Sequence, residues 1–78
     1  MYIVIFRSRT SAVKFHDEMT RCGTDSTLIN TPKSVGHPCG LSVKTYDLFS
    51  AKRILSSEAY RSFDAIYEIS GKDLIQIG

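Results

Sequence analysis

The sequence lacks the features that mark whole classes of protein. No stretch approaches the ~20 apolar residues needed to cross a bilayer, so no spanning helix is expected. The opening apolar run, Tyr2-Ile3-Val4-Ile5-Phe6, is too short for a signal h-region, and no small-residue cleavage site follows it. Two cysteines, Cys22 and Cys39, are too few for a disulfide-stapled secreted domain. Together these absences point to the cytoplasm, with thiols reduced. Net charge is only +2, and the longest basic run is Lys52-Arg53. A nucleic-acid binder would carry a denser basic face, so neither nucleic acid nor membrane is an expected partner. There is no G-x-G-x-x-G, no Walker motif and no nucleophile elbow. His16, Cys22, His37 and Cys39 lack the C-x₂-C and H-x₃-H spacing of a zinc site, so neither metal nor cofactor is expected.

What is present is one ordinary globular domain. At 78 residues the chain is a single unit, 1–78. The apolar share of 42% and charged share of 23% match folded proteins rather than disordered ones. A chain this short buries only about 60% of the surface its unfolded form exposes. An enclosed cavity with a multi-residue catalytic machine does not fit. Chemistry, if any, uses one or two surface side chains or a site completed by a partner.

Hydrophobic periodicity lays out the elements. Tyr2–Phe6 is apolar throughout and β-rich, which predicts a central strand buried on both faces. Ser8 or Thr10 caps a helix from about Thr10 to Arg21, with Ala12, Phe15, Met19 and Cys22 on its apolar stripe and Gly23 as its left-handed stop. Cys22 is therefore expected in the core. Thr27–Asn30 reads as a second strand. Leu41–Tyr46 alternates, which predicts a third strand with one wet face. Asp47 caps a second helix from Leu48 to about Ser57, with Leu48, Ala51, Ile54 and Leu55 inward and Lys52 and Arg53 outward. Ala65–Ile69 is a fourth strand. Gly71-Lys72-Asp73 is a turn before Leu74–Ile77, a short extra strand or an edge-packed tail. The order predicts an α+β fold: a ferredoxin-like βαββαβ two-layer sandwich, with two helices on one face of a mainly antiparallel four-stranded sheet.

The connection from Thr31 to Gly40 is unusual. Hairpin loops mostly hold two to five residues, and long loops in compact domains are often functional. This one contains Pro32, Pro38, Gly36, Gly40, His37 and Cys39. The reactive form of cysteine is the thiolate, favoured by nearby cations and backbone N–H groups. Lys33 and His37 lie close by in sequence and supply positive charge. Pro38 restricts the backbone before the thiol, and Gly40 permits close approach of another molecule. Arg7 and Ser8 follow the first strand, and the first helix N-terminus points toward the same region.

Thr31-Pro32-Lys33 followed by Cys39-Gly40-Leu41-Ser42 resembles the signature of the family named putative Se/S carrier protein-like. Phe6, Ser8, Thr10, Ala12 and Gly23 resemble its opening, and Ile66-Tyr67 its closing strand. The likeness spans nearly the whole chain, as one carrier-like domain. It implies a persulfide or selenopersulfide held on Cys39 and passed to a partner protein; Lys33, His37, Gly40 and Arg7 are the supporting residues expected from their places in the chain. It implies a carrier or accessory protein rather than a stand-alone enzyme, with sulfur or selenium donor and acceptor proteins as partners. Gly36-His37-Pro38 departs from the family's small, Ser-rich spacer. The alternative is a non-catalytic regulatory or protein-interaction module of the same fold, for which Cys39 is dispensable. An exposed sheet edge also leaves room for a homodimer.

Overall fold

The computed structural model describes residues 1–33, 40–57, 60 and 62–78. Along the chain run β1 (Tyr2–Phe6), α1 (Arg9–Arg21), β2 (Thr27–Asn30), β3 (Leu41–Thr45), α2 (Leu48–Ser57), β4 (Phe63–Ser70) and β5 (Asp73–Gln76). The sheet order is β2-β3-β1-β4-β5, and every neighbouring pair is antiparallel. It follows that β1 and β2 are parallel with β3 between them, and that β3 and β4 are parallel with β1 between them. The chain therefore makes two interleaved β-α-β units. Five strands replace the expected four, because the segment after Gly71 pairs fully with β4.

The all-apolar β1 is central, as its composition predicts. It pairs with β3 from Tyr2↔Thr45 to Ile5↔Ser42, and with β4 from Tyr2↔Glu68 to Phe6↔Phe63. A register shift between Ile5 and Phe6 marks a bulge in the second ladder. Strand alternation sends Val4 and Phe6 to one face and Ile3 and Ile5 to the other. Val4 and Phe6 join Val43, Ile66, Ala12, Phe15, Met19, Ala51 and Ile54 in one buried cluster, so both helices pack on that face. Each large side chain buried there contributes about 1.5–3 kcal/mol. The Phe6 ring anchors an aromatic group at one end of the core. Its centroid lies 5.3 Å from Phe15, 5.7 Å from Tyr60 and 6.2 Å from Phe63. The Lys14 ammonium sits 5.4 Å from the centre of the Tyr60 ring.

The helix ends obey local rules. Ser8 is extended and its hydroxyl accepts from the Ser11 N–H at 3.4 Å. At the other end Gly23 takes φ +70, its N–H donates to Thr20 O, and the Thr24 N–H donates to Met19 O. That paired closure is a Schellman stop, which needs the left-handed residue. Cys22 is thereby the cap and not the last inward position: it is exposed, and the apolar stripe ends at Met19. The expectation that Cys22 packs in the core is corrected. Asp47 caps α2, its carboxylate accepting from the Ser50 N–H at 3.0 Å and the Ser50 hydroxyl at 2.8 Å. These hydrogen bonds hold its carboxyl below the usual aspartate range.

Candidate functional site

The register decides which residues share an end of the sandwich. Ile5 lies opposite Ser42, Asn30 opposite Leu41, and Phe6 opposite Phe63. The ends of β1 and β2 and the starts of β3 and β4 therefore meet at one edge of the fold. Arg7, the start of α1, Lys33, Gly40 and Ser62 belong to that end. The end of α1, Cys22, Asp25, Tyr46 and Asp47 belong to the other.

The long connection is clamped at its mouth by two contacts. The Thr31 N–H donates to the Gly40 carbonyl at 3.1 Å, extending the β2–β3 ladder by one pair. The Thr31 and Ser42 hydroxyls are hydrogen-bonded at 2.6 Å. Ser42 has no exposed surface. The alternating pattern of β3 predicts a wet face at Ser42. The structure buries it, because a serine hydroxyl satisfied by a neighbour is small enough to be enclosed. Both residues belong to the motif read from the sequence. Their pairing is the supporting contact that pattern reading missed.

Of the residues singled out from the sequence, Cys39 and His37 lie outside the described residues. Arg7, Lys33 and Gly40 are described, and all three are exposed. Arg7 is fixed through its backbone, its N–H donating to Ser62 O at 2.7 Å. Among the described residues nothing lies within 4 Å of a Cβ built on Gly40, and its φ is not in the left-handed region. Neither backbone strain nor packing against them requires glycine there. The one role left from the sequence argument is to keep that side open.

Three cations, Arg7, Arg9 and Lys33, are the described charges nearest the clamp, and Asp64, near the start of β4, is an acidic residue of the same end. Arg7 and Arg9 flank the Ser8 cap, and no acidic residue occupies the first turn of α1. Cations at a helix N-terminus oppose the macrodipole, so the helix gains no stability from them. Lys33 adds a third cation beside the clamp. The opposite end carries Asp25, which accepts from the Tyr46 N–H at 2.9 Å through its carboxylate and from the Thr45 hydroxyl at 2.6 Å through its carbonyl.

His16 lies at mid-helix, its Nδ1 2.6 Å from the Ser26 hydroxyl. Among the described residues no group of three His, Cys, Asp or Glu side chains is placed to hold a metal. Among the described residues no helix is long and apolar enough to cross a membrane. Two exposed aromatics were not foreseen as a pair: Tyr46, 65% exposed, and Phe49, 77% exposed. Phe49 falls one position off the Leu48–Ala51–Ile54–Leu55 stripe, which is the sequence signal that it faces outward.

Neither a curated protein nor a solved structure matches the chain significantly. A family does: the one described as "Putative Se/S carrier protein-like" matches residues 1–68, through β1 to β3, both helices and most of β4. The chain belongs to the Se/S carrier protein-like family.

Proposed function

We propose that the protein carries sulfur or selenium as a persulfide or selenopersulfide on Cys39, and passes it to a partner protein. The observation that carries this reading is the clamped β2–β3 connection at the end that holds Arg7, Arg9 and Lys33. Cys39 is covalently joined to Gly40, whose carbonyl is fixed by Thr31. Arg7, Arg9, Lys33 and the N-terminus of α1 belong to the same end of the fold. Positive charge and N–H dipoles favour a thiolate over a thiol. His37, two residues before Cys39, serves the proton exchange, and Lys33 adds positive charge. We further infer that β1 to β4 with the two helices form the ferredoxin-like core of the family, and that β5 is added to it.

The transfer is an exchange between sulfurs with no net oxidation. The Cys39 thiolate attacks the terminal sulfur of a donor persulfide, the donor's S–S bond breaks, and the donor leaves as a thiolate. The new S–S bond lies on Cys39, and attack by an acceptor thiolate reverses the sequence. Selenium follows the same course with selenium as the terminal atom. No cofactor and no pocket are needed, which suits a domain of this size.

The test is mass spectrometry after incubation with a cysteine desulfurase and cysteine. Wild type and Cys22→Ser gain one sulfur atom, and Cys39→Ser does not. Equal gain on wild type and Cys39→Ser rejects the proposal. A second reading, a non-catalytic interaction module, draws on the exposed Tyr46 and Phe49 at the far end. It requires that Phe49→Ala abolish partner capture while Cys39→Ser leaves function intact.

A further inference from the structure

The outer edge of β5 has the geometry to pair with itself. In a two-residue hairpin the closing pair exchanges both backbone bonds, and the next pair exchanges none. Ser70↔Asp73 is the closing pair here, Gly71 at φ +61 providing the first turn position. Ile69 is paired with Leu74, and the Ile69 N–H donates instead to Met1 O at 2.9 Å, on the β1 side. Further along, the Ile77 N–H donates inward to Ile66 O at 2.9 Å. The odd-numbered residues of β5 thus face β4. The N–H and C=O groups of Leu74 and Gln76 face outward, and among the described residues no strand lies beyond them in the sheet.

The outer edge of β5 also carries apolar surface. Ile75 is 48% exposed and Ile77 is 39% exposed. The opposite edge, β2, also leaves alternate groups outward, but none of its side chains is among the large exposed hydrophobics. Edge strands are normally blunted against such pairing, and here the blunting falls on Lys72 and Asp73 near the turn rather than on the outward-bonding positions.

We propose that β5 is a homodimerisation edge, on which a second copy of this chain docks antiparallel about a two-fold axis through Ile75. In that register Leu74 lies opposite the partner's Gln76 and Gln76 opposite the partner's Leu74. All the outward groups of both strands are then satisfied, and Ile75 meets its own symmetry mate at a non-hydrogen-bonded position, where side chains approach closest. The interface is isologous and closes at two copies, giving one continuous sheet. The contact is short, well below the ~1,600 Å² of a standard interface, so association is weak and shows only at high concentration. The match to the family ends at residue 68, so the edge lies outside the matched region. The proposal stands independently of Cys39.

Sedimentation equilibrium over a concentration series tests it, with backbone amide exchange by NMR in parallel. Wild type shifts from monomer to dimer, and the Leu74 and Gln76 amides gain protection as concentration rises. Gln76→Pro removes an outward N–H without touching the ladder to β4, which edge strands tolerate. It keeps the wild-type spectrum and weakens the dimer at least ~10-fold, as does Ile75→Lys, which places like charges on the axis. Asn30→Pro, the matching change on the β2 edge, leaves the dimer intact. A wild type that stays monomeric to about 1 mM overturns the proposal, as does a dimer insensitive to Gln76→Pro and Ile75→Lys or one lost only in Asn30→Pro.

Discussion

Removing the hydroxyl of Ser42 tests whether the clamp at the mouth of the long connection is a real restraint. Ser42 is wholly buried, and its hydroxyl lies 2.6 Å from that of Thr31, which is partly buried. Ser42→Ala deletes one partner and leaves the Thr31 hydroxyl without it. An unsatisfied buried hydroxyl costs about 1–3 kcal/mol, and partial exposure of Thr31 places the loss at the lower end, about 1–2 kcal/mol. Thr31→Val leaves the wholly buried Ser42 hydroxyl without its partner, which places that loss at the upper end, about 2–3 kcal/mol. The double variant replaces both by apolar groups of nearly the same shape, which is close to neutral for a paired buried site. The double loss is therefore smaller than the two single losses combined, with a coupling of about 1 kcal/mol. Urea unfolding reads this directly: a domain of this size has a slope near ~1 kcal/mol/M, so the single variants move the midpoint by about 1–3 M, Thr31→Val the more. The alkylation rate of Cys39, measured on a Cys22→Ser background, reads the functional side. It changes in both single variants, because the connection that carries the thiol loses its anchor. Additive losses in the cycle, or single variants with unchanged midpoints, refute the reasoning.

Four further outcomes follow from the packing and the caps. Phe15→Ala removes a ring packed on both Phe6 and Tyr60 and costs about 3–5 kcal/mol; against a total of about 4–12 kcal/mol for a chain this long, circular dichroism shows a largely unfolded protein or a lowered melting temperature. Gly23→Ala places a Cβ in the left-handed region with no neighbour to collide with, so the loss is about 1–2 kcal/mol from backbone alone, and Gly23→Asn recovers part of it in thermal melts. Asp47 has a carboxyl pKa below its unfolded value, so its stabilising effect is present above about pH 4 and fades as pH falls through the folded value; acid titration of Asp47→Asn shows that component missing. Cys22 is exposed, so a maleimide labels it in the native state without denaturant, and intact-mass analysis of Cys39→Ser still shows one label.

Sequence alone determined the features that are settled within a few residues. The five apolar residues of β1 allow no solvated face, so the strand is central. Ser8 and Asp47 stand where a helix start leaves N–H groups unpaired, and Gly23 stands where a left-handed stop is required. The Cys-Gly-Leu-Ser motif with Thr31-Pro32-Lys33 carried the family likeness, and the match over residues 1–68 upheld it. The tertiary structure decided what depends on partners distant in the chain. A strand pattern shows which side chains share a face, but not which strand lies beside it. The pairing of β1 with β3 and β4, and of β5 with β4, gave five strands where four were expected. Cys22 left the core because the helix stops one residue before it, and Ser42 entered the interior because Thr31 satisfies its hydroxyl across the hairpin. Arg7, Lys33 and Gly40 came to one end because antiparallel register folds distant segments back to a common edge. Periodicity acts over a few residues and long-range contact over dozens, so the sequence wrote the elements and their ends, and packing chose their neighbours.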